Sequence, residues 1–163
     1  MNEKITARLL RASLDELRQA RLHLTFSAQR VEQLGGERSD WSEADLEKIE
    51  AYTGRFARVV DLLTNKVLRA LFAHELEQAE TVLDRFNLAE KRGLVASAGE
   101  LRTLKEHRNS IAHDYAGAKI KIIFAFCRTT QVQLDAICDR VDAYAGQFLP
   151  PQLGGKLKEK SGK

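Results

Sequence analysis

Residues 43–78, EADLEKIEAYTGRFARVVDLLTNKVLRALFAHELEQ, decide the fold class. Leu46, Ile49, Phe56, Val59, Val60, Leu63, Val67, Leu68, Leu71 and Phe72 recur at three- and four-residue intervals, the spacing that lays apolar side chains along one face of an α-helix. Ser42, with Asp45 three residues on, supplies the start signal of a capping arrangement. The pattern predicts one long amphipathic helix reaching to about Gln78, with a bend near Asn65.

The same period continues on both sides. Upstream, Ile5, Leu9, Leu10, Leu14, Leu17, Leu24, Val31 and Leu34 predict a first helix over residues 3–34, with Arg21 on its apolar stripe. Gly35 and Gly36 stop it, and a loop over 35–41 follows, in which Trp41 reads as a staple for the next helix. Downstream, Val82, Leu83, Phe86 and Leu88 mark a short helix over 80–91 that ends near Gly93. Ser97 and Glu100 read as a capping box opening a fourth helix through Leu101, Leu104 and Ile111. A fifth, over 118–148, is rich in isoleucine and phenylalanine and is closed by Leu149-Pro150-Pro151.

No strand alternation or internal repeat occurs, and the only two prolines are Pro150 and Pro151. The expected fold is therefore all-α: an antiparallel bundle of about five helices forming one domain over 1–151, with a basic tail over 152–163. Residues 154–163 hold four lysines and one glutamate, which reads as a solvated end before it reads as an RNA-gripping arm. The broad apolar faces suggest a homodimer, although a well-filled monomer core would leave the same pattern.

Lys and Arg outnumber Asp and Glu by 26 to 23, too narrow a margin for charge alone to imply a nucleic-acid partner. The start, Met1-Asn2-Glu3-Lys4, leads directly into an amphipathic pattern without the apolar core of a signal peptide. Nor does any stretch approach the roughly 20 apolar residues of a membrane span. A cytoplasmic location is expected. Cys127 and Cys138 lie eleven apart on one predicted helix, about 16 Å by rise alone, so they read as separate buried thiols.

The chemistry concentrates in residues 106–115, EHRNSIAHDY. Arg108 falls on the apolar stripe of Leu101, Leu104 and Ile111, where a guanidinium is costly unless paired, so it calls for an acidic partner, an interface or an anion. Asp61, on the long second helix, is a candidate for that partner, though a surface ion pair would explain it equally. Asn109 and His113 are four apart and share a face, whereas Arg108 and His113 are five apart, about 140° around an ideal helix. Either the helix ends or bends between them, or two copies complete each other's sites across a dimer axis. The same residues also read as a stabilising arginine and a solvated surface histidine.

Arginine, a polar residue, three further residues, histidine, any residue and tyrosine form a motif that resembles the signature of HEPN-family toxins paired with minimal nucleotidyltransferase antitoxins. Arg108, Asn109, His113 and Tyr115 fill every position. Upstream, 54–63 (GRFARVVDLL) resembles that family's second long helix, and 90–95 (EKRGLV) with 100–108 resembles its approach to the motif. The likeness covers roughly residues 40–125, and Asp114 stands where many relatives carry glutamate.

The resemblance implies a metal-independent endoribonuclease toxin that uses no cofactor, acts on RNA and is neutralised by its nucleotidyltransferase partner. Attack of a ribose 2′-hydroxyl on the adjacent phosphorus needs proton transfer, which an imidazole supplies near neutral pH, and a donor fork for the charge gathering on phosphoryl oxygen. His113 and Arg108 would take those roles, with Asn109 orienting the histidine or phosphate. Tyr115 would contact substrate and, by family resemblance, accept AMP from the antitoxin. The alternative is a non-catalytic helical module that binds a nucleotide or the nucleotidyltransferase. Other histidines point elsewhere. His107 and His113 lack a second ligand pair for zinc, His74 reads as part of a solvated face, and His23 as a packed or interface histidine.

Overall fold

A computed structural model describes residues 2–35 and 40–151. All regular structure among them is helical. The elements are α1 (Glu3–Val31), α2 (Glu43–Asp61), a π-helical turn (Leu62–Val67), α3 (Leu68–His74), α4 (Val82–Lys91), α5 (Ala98–His113) and α6 (Ile120–Gly146). Since α2, the π turn and α3 are continuous, the bundle has five helices, the second widened in its middle. Leu10, Leu14, Leu17 and Leu24 of α1 meet Ile49, Phe56, Val60 and Leu63 of the second helix in a core that takes in Leu101 of α5 and Leu134 of α6. No helix among the described residues is long and apolar enough to cross a membrane. The basic tail expected over 152–163, and Gly36 of the first stop signal, lie outside the described residues.

The start of α2 follows its sequence signal: Ser42 and Asp45 form a reciprocal capping box. Around Asn65, where a bend was expected, the helix is a π turn. There the N–H of Leu68 reaches back to the carbonyl of Leu63, one residue further than an α-helix would, while the Thr64 hydroxyl donates to the carbonyl of Val60 at 2.8 Å.

Several boundaries differ from the periodic pattern because tertiary contacts intervene. α1 stops at Val31, short of the glycines. From α6, Arg128 donates to the carbonyls of Leu34 at 2.6 Å and Glu32 at 3.2 Å, and Trp41 donates to that of Gly35, so the chain turns to meet those donors. Trp41, expected to staple α2, packs edge-on against Phe124 of α6. α4 begins behind a Thr81–Asp84 capping box that the apolar spacing did not single out. Conversely, the expected Ser97–Glu100 box does not form. Ser97 is the N-cap without a side-chain bond, and Glu100 instead accepts from the N–H of Ala96 at 3.4 Å.

Both α3 and α4 end in a Schellman arrangement. After α4, the N–H of Leu94 bonds the carbonyl of Ala89 and that of Gly93 bonds Glu90, with Gly93 in the left-handed region (φ 72°). After α3, Glu77 bonds Phe72 and Leu76 bonds Ala73, but the left-handed position is held by Leu76 (φ 59°), 80% exposed.

Polar groups in apolar places meet individual partners, although the buried Nε of Arg85 has none among the described residues. Arg21, on the α1 stripe, reaches the carboxylate of Asp139 at 2.7 Å and the carbonyl of Asp135. Arg85 is only 1% exposed and donates to the carbonyls of Ala79 and Glu80, with burial lowering its pKa. His74 is half-buried rather than solvated: Nδ1 lies 2.7 Å from the Thr6 hydroxyl and the ring meets Phe148 edge-on. The His23 side chain is exposed instead of packed, and its carbonyl accepts from Arg55. Cys127 and Cys138 are buried free thiols, both pushed up to about 12 by desolvation.

Candidate functional site

α5 carries the site. Leu101 and Leu104 anchor its first half in the core, and the helix runs unbroken to His113. It lies antiparallel to the second helix: Lys105 donates to Asn65 Oδ1 at 3.2 Å, and one turn further along α5 Arg108 meets Asp61. The π turn begins directly after Asp61 and contains Asn65, so one side-chain link to α5 comes from the turn and the other from the last residue of α2.

Arg108 finds the acidic partner its position required. Its Nε lies 2.7 Å from Asp61 Oδ1, with the two side chains 32% and 33% exposed. Nε itself is buried, and its N–H is not aligned for a hydrogen bond to any acceptor. The contact is therefore a close charge pair rather than a directed bond, and among the described residues neither Nη hydrogen-bonds a carboxylate. Nη1 makes one long contact, 3.5 Å, to Asn109 Oδ1.

At the helix end His113 is exposed, and its Nδ1 lies 3.4 Å from the Tyr115 hydroxyl, the rings meeting at 77°. Tyr115 itself is 88% exposed. The turn that carries it is closed by Asp114, whose carboxylate oxygens accept from the backbone N–H of Lys119 at 3.3 and 3.1 Å. Gly117 provides the left-handed residue (φ 66°) that lets the chain reverse into α6. Asn109, Ser110, His113, Asp114 and Lys119 line an open cleft of about 250 Å³ between the end of α5 and the start of α6.

The five residues singled out from sequence thus fall into linked pairs: Asp61 with Arg108, Arg108 with Asn109, Asn109 with His113 across the cleft, and His113 with Tyr115. Arg108 does not line the cleft that holds His113. Of the two explanations for their five-residue spacing, a bend between them is removed, because α5 is continuous through His113 and ends there.

Ser110, Asp114 and Lys119 were not picked out as site residues. The signal for them was indirect, an acidic residue six before a helix start with a glycine between. His107, by contrast, stacks on Phe126, and burial lowers its pKa. Among the described residues no three His, Cys, Asp or Glu side chains gather into a cation-binding cluster. No family model, curated protein or solved structure matches the chain.

Proposed function

We propose that this chain is a HEPN-type toxin, a dimeric endoribonuclease that works without metal and is neutralised by a minimal nucleotidyltransferase antitoxin. The observation that carries the reading is the arginine at the motif's first position, anchored by Asp61, on the helix whose last residue is an exposed histidine. An arginine placed only for stability would have its donors consumed. Here Asp61 pairs with the guanidinium on its Nε side, and the Nη donors are taken up by no carboxylate among the described residues.

In the proposed reaction His113 takes the proton of a ribose 2′-hydroxyl as the 2′-oxygen attacks the adjacent phosphorus. The P–O5′ bond breaks, leaving a 2′,3′-cyclic phosphate and a 5′-hydroxyl that receives a proton. Arg108 holds the charge on the non-bridging oxygens, and Asn109 bridges the two by touching Arg108 and lining the cleft of His113. Since Arg108 and His113 do not share one cleft within a chain, a second copy that brings its own pair alongside would complete the site. Ile122 and Val132, 70% and 79% exposed on α6, offer apolar surface for such a contact.

Tyr115, exposed and reaching His113, is the proposed acceptor of AMP. A phosphate-bearing group on its hydroxyl would stand against the histidine. Expression in cells without the partner tests the function: growth arrest is expected, and His113→Ala should relieve it. Arrest that persists in the folded variant would rule out His113 catalysis. Labelling of Tyr115→Phe by the nucleotidyltransferase and ATP, as strong as wild type, would remove the modification proposal alone.

A further inference from the structure

The cleft beside His113 has a chemical character of its own. Asn109, His113 and Lys119 bring an amide, an imidazole and an ammonium to it, the Ser110 hydroxyl donates to the carbonyl of Glu106 at 3.2 Å, and the only carboxylate in its lining is Asp114. That carboxylate accepts the backbone N–H of Lys119 through both oxygens, which ties it to the turn while its charge stays at the edge of the cleft. The exposed ammonium of Lys119 takes part in none of the ion pairs formed among the described residues. At about 250 Å³ the volume suits a single small polar group better than a whole nucleotide.

We infer that this cleft is a phosphate subsite and that Lys119 is the residue that holds the phosphate, one belonging to the RNA strand that passes His113. The identity of the strand rests on the ribonuclease reading above; the subsite itself rests on the cleft. Arg108 of the same chain does not line this cleft; in the dimeric site proposed above a second copy's Arg108 would hold the reacting phosphate beside His113, and Lys119 would hold the next phosphate of the same strand and fix its register. Lys119 is thus a binding and positioning residue, and its removal should raise KM more than it lowers kcat.

The test uses a single-stranded oligonucleotide with 2′-methoxy groups throughout, which lacks the nucleophile and cannot be cut by this chemistry. Fluorescence anisotropy is followed across a salt series for wild type, Lys119→Gln and Lys119→Arg, each checked for native helicity. Loss of one phosphate contact should weaken binding roughly tenfold for Lys119→Gln and reduce the slope of log affinity against log salt by about 0.7, with Lys119→Arg close to wild type. Equal affinity and slope in wild type and Lys119→Gln overturn the inference. So does Lys119-dependent binding of AMP without binding of the oligonucleotide, because the phosphate would then belong to a mononucleotide.

Cleavage of the unmodified strand, measured in parallel, judges the enzyme separately. Lys119-dependent binding without cleavage removes the nuclease and supports the subsite, whereas cleavage with Lys119-independent binding removes the subsite alone.

Discussion

Replacing Asp61 by asparagine keeps the shape of the side chain and deletes its charge, which isolates what the carboxylate does for Arg108. At 2.7 Å the gross Coulomb attraction is between about 1.5 and 6 kcal/mol as the effective dielectric falls from that of water to about 20. Both side chains are about one-third exposed and the Nε–H is not aligned for a hydrogen bond, so the watery end of that range applies. After desolvation and side-chain ordering, the net contribution to folding should be about 1 kcal/mol or less. For a chain of this size that is a fall in Tm of roughly 2–4 °C.

Catalysis should suffer more than stability, since an unanchored guanidinium must find the phosphoryl oxygens from many orientations. A loss of roughly ten- to a hundredfold in kcat is expected. The assay pairs urea unfolding with single-turnover cleavage for Asp61→Asn, Arg108→Ala and the double variant. Coupling between the two positions is expected in both measurements. Strictly additive effects in cleavage, with Asp61→Asn as active as wild type, would refute the role assigned to the pair.

Three further outcomes follow from the fold. Leu76→Gly should stabilise the protein by roughly 0.5–1 kcal/mol in urea titration, because it places glycine at the left-handed position that Gly93 fills in the equivalent motif and gives up little buried surface. A destabilised variant would mean that Leu76 makes a contact worth more than its backbone strain. His107 has its pKa lowered from 6.5 by burial against Phe126, with Glu106 opposing. The unfolded chain therefore takes up the proton more readily, so its contribution to stability is intact above pH 6.5 and lost as pH falls below it. His107→Phe should flatten that part of the stability-against-pH curve, and an unchanged profile would remove His107 as a source. Cys127 and Cys138, with thiols pushed to about 12, should resist a thiol-specific reagent at pH 8 until the protein is denatured, and prompt labelling of the native state would contradict their burial.

The helices were legible because each carries an apolar stripe long enough to outweigh its polar residues; the π turn around Asn65, where a bend was expected, was not. Their ends were less so. Nothing local tells that Arg128, almost a hundred residues away, will take the carbonyls of Glu32 and Leu34 and end α1 early. Ser97 and Glu100 have the spacing of a capping box, yet the carboxylate finds the N–H of Ala96.

At the site, Arg108 was readable as a charge in need of a partner because it interrupts a stripe, and Asp61 could be named because it lies on the facing helix. The cleft was not readable. It arises where α5 stops and the chain reverses through Gly117, which brings Lys119 back beside His113. That closure depends on Asp114 bonding a backbone N–H five residues on, a contact with no periodic signature.

The most direct test of the central claim is cleavage of total cellular RNA by the purified protein in EDTA, beside a folded His113→Ala variant, with the absence of AMP on Tyr115 established by mass spectrometry. Cutting by wild type alone, yielding cyclic-phosphate ends, is the result the account predicts. RNA left intact by the unmodified wild type, or cut equally by both proteins, would contradict it.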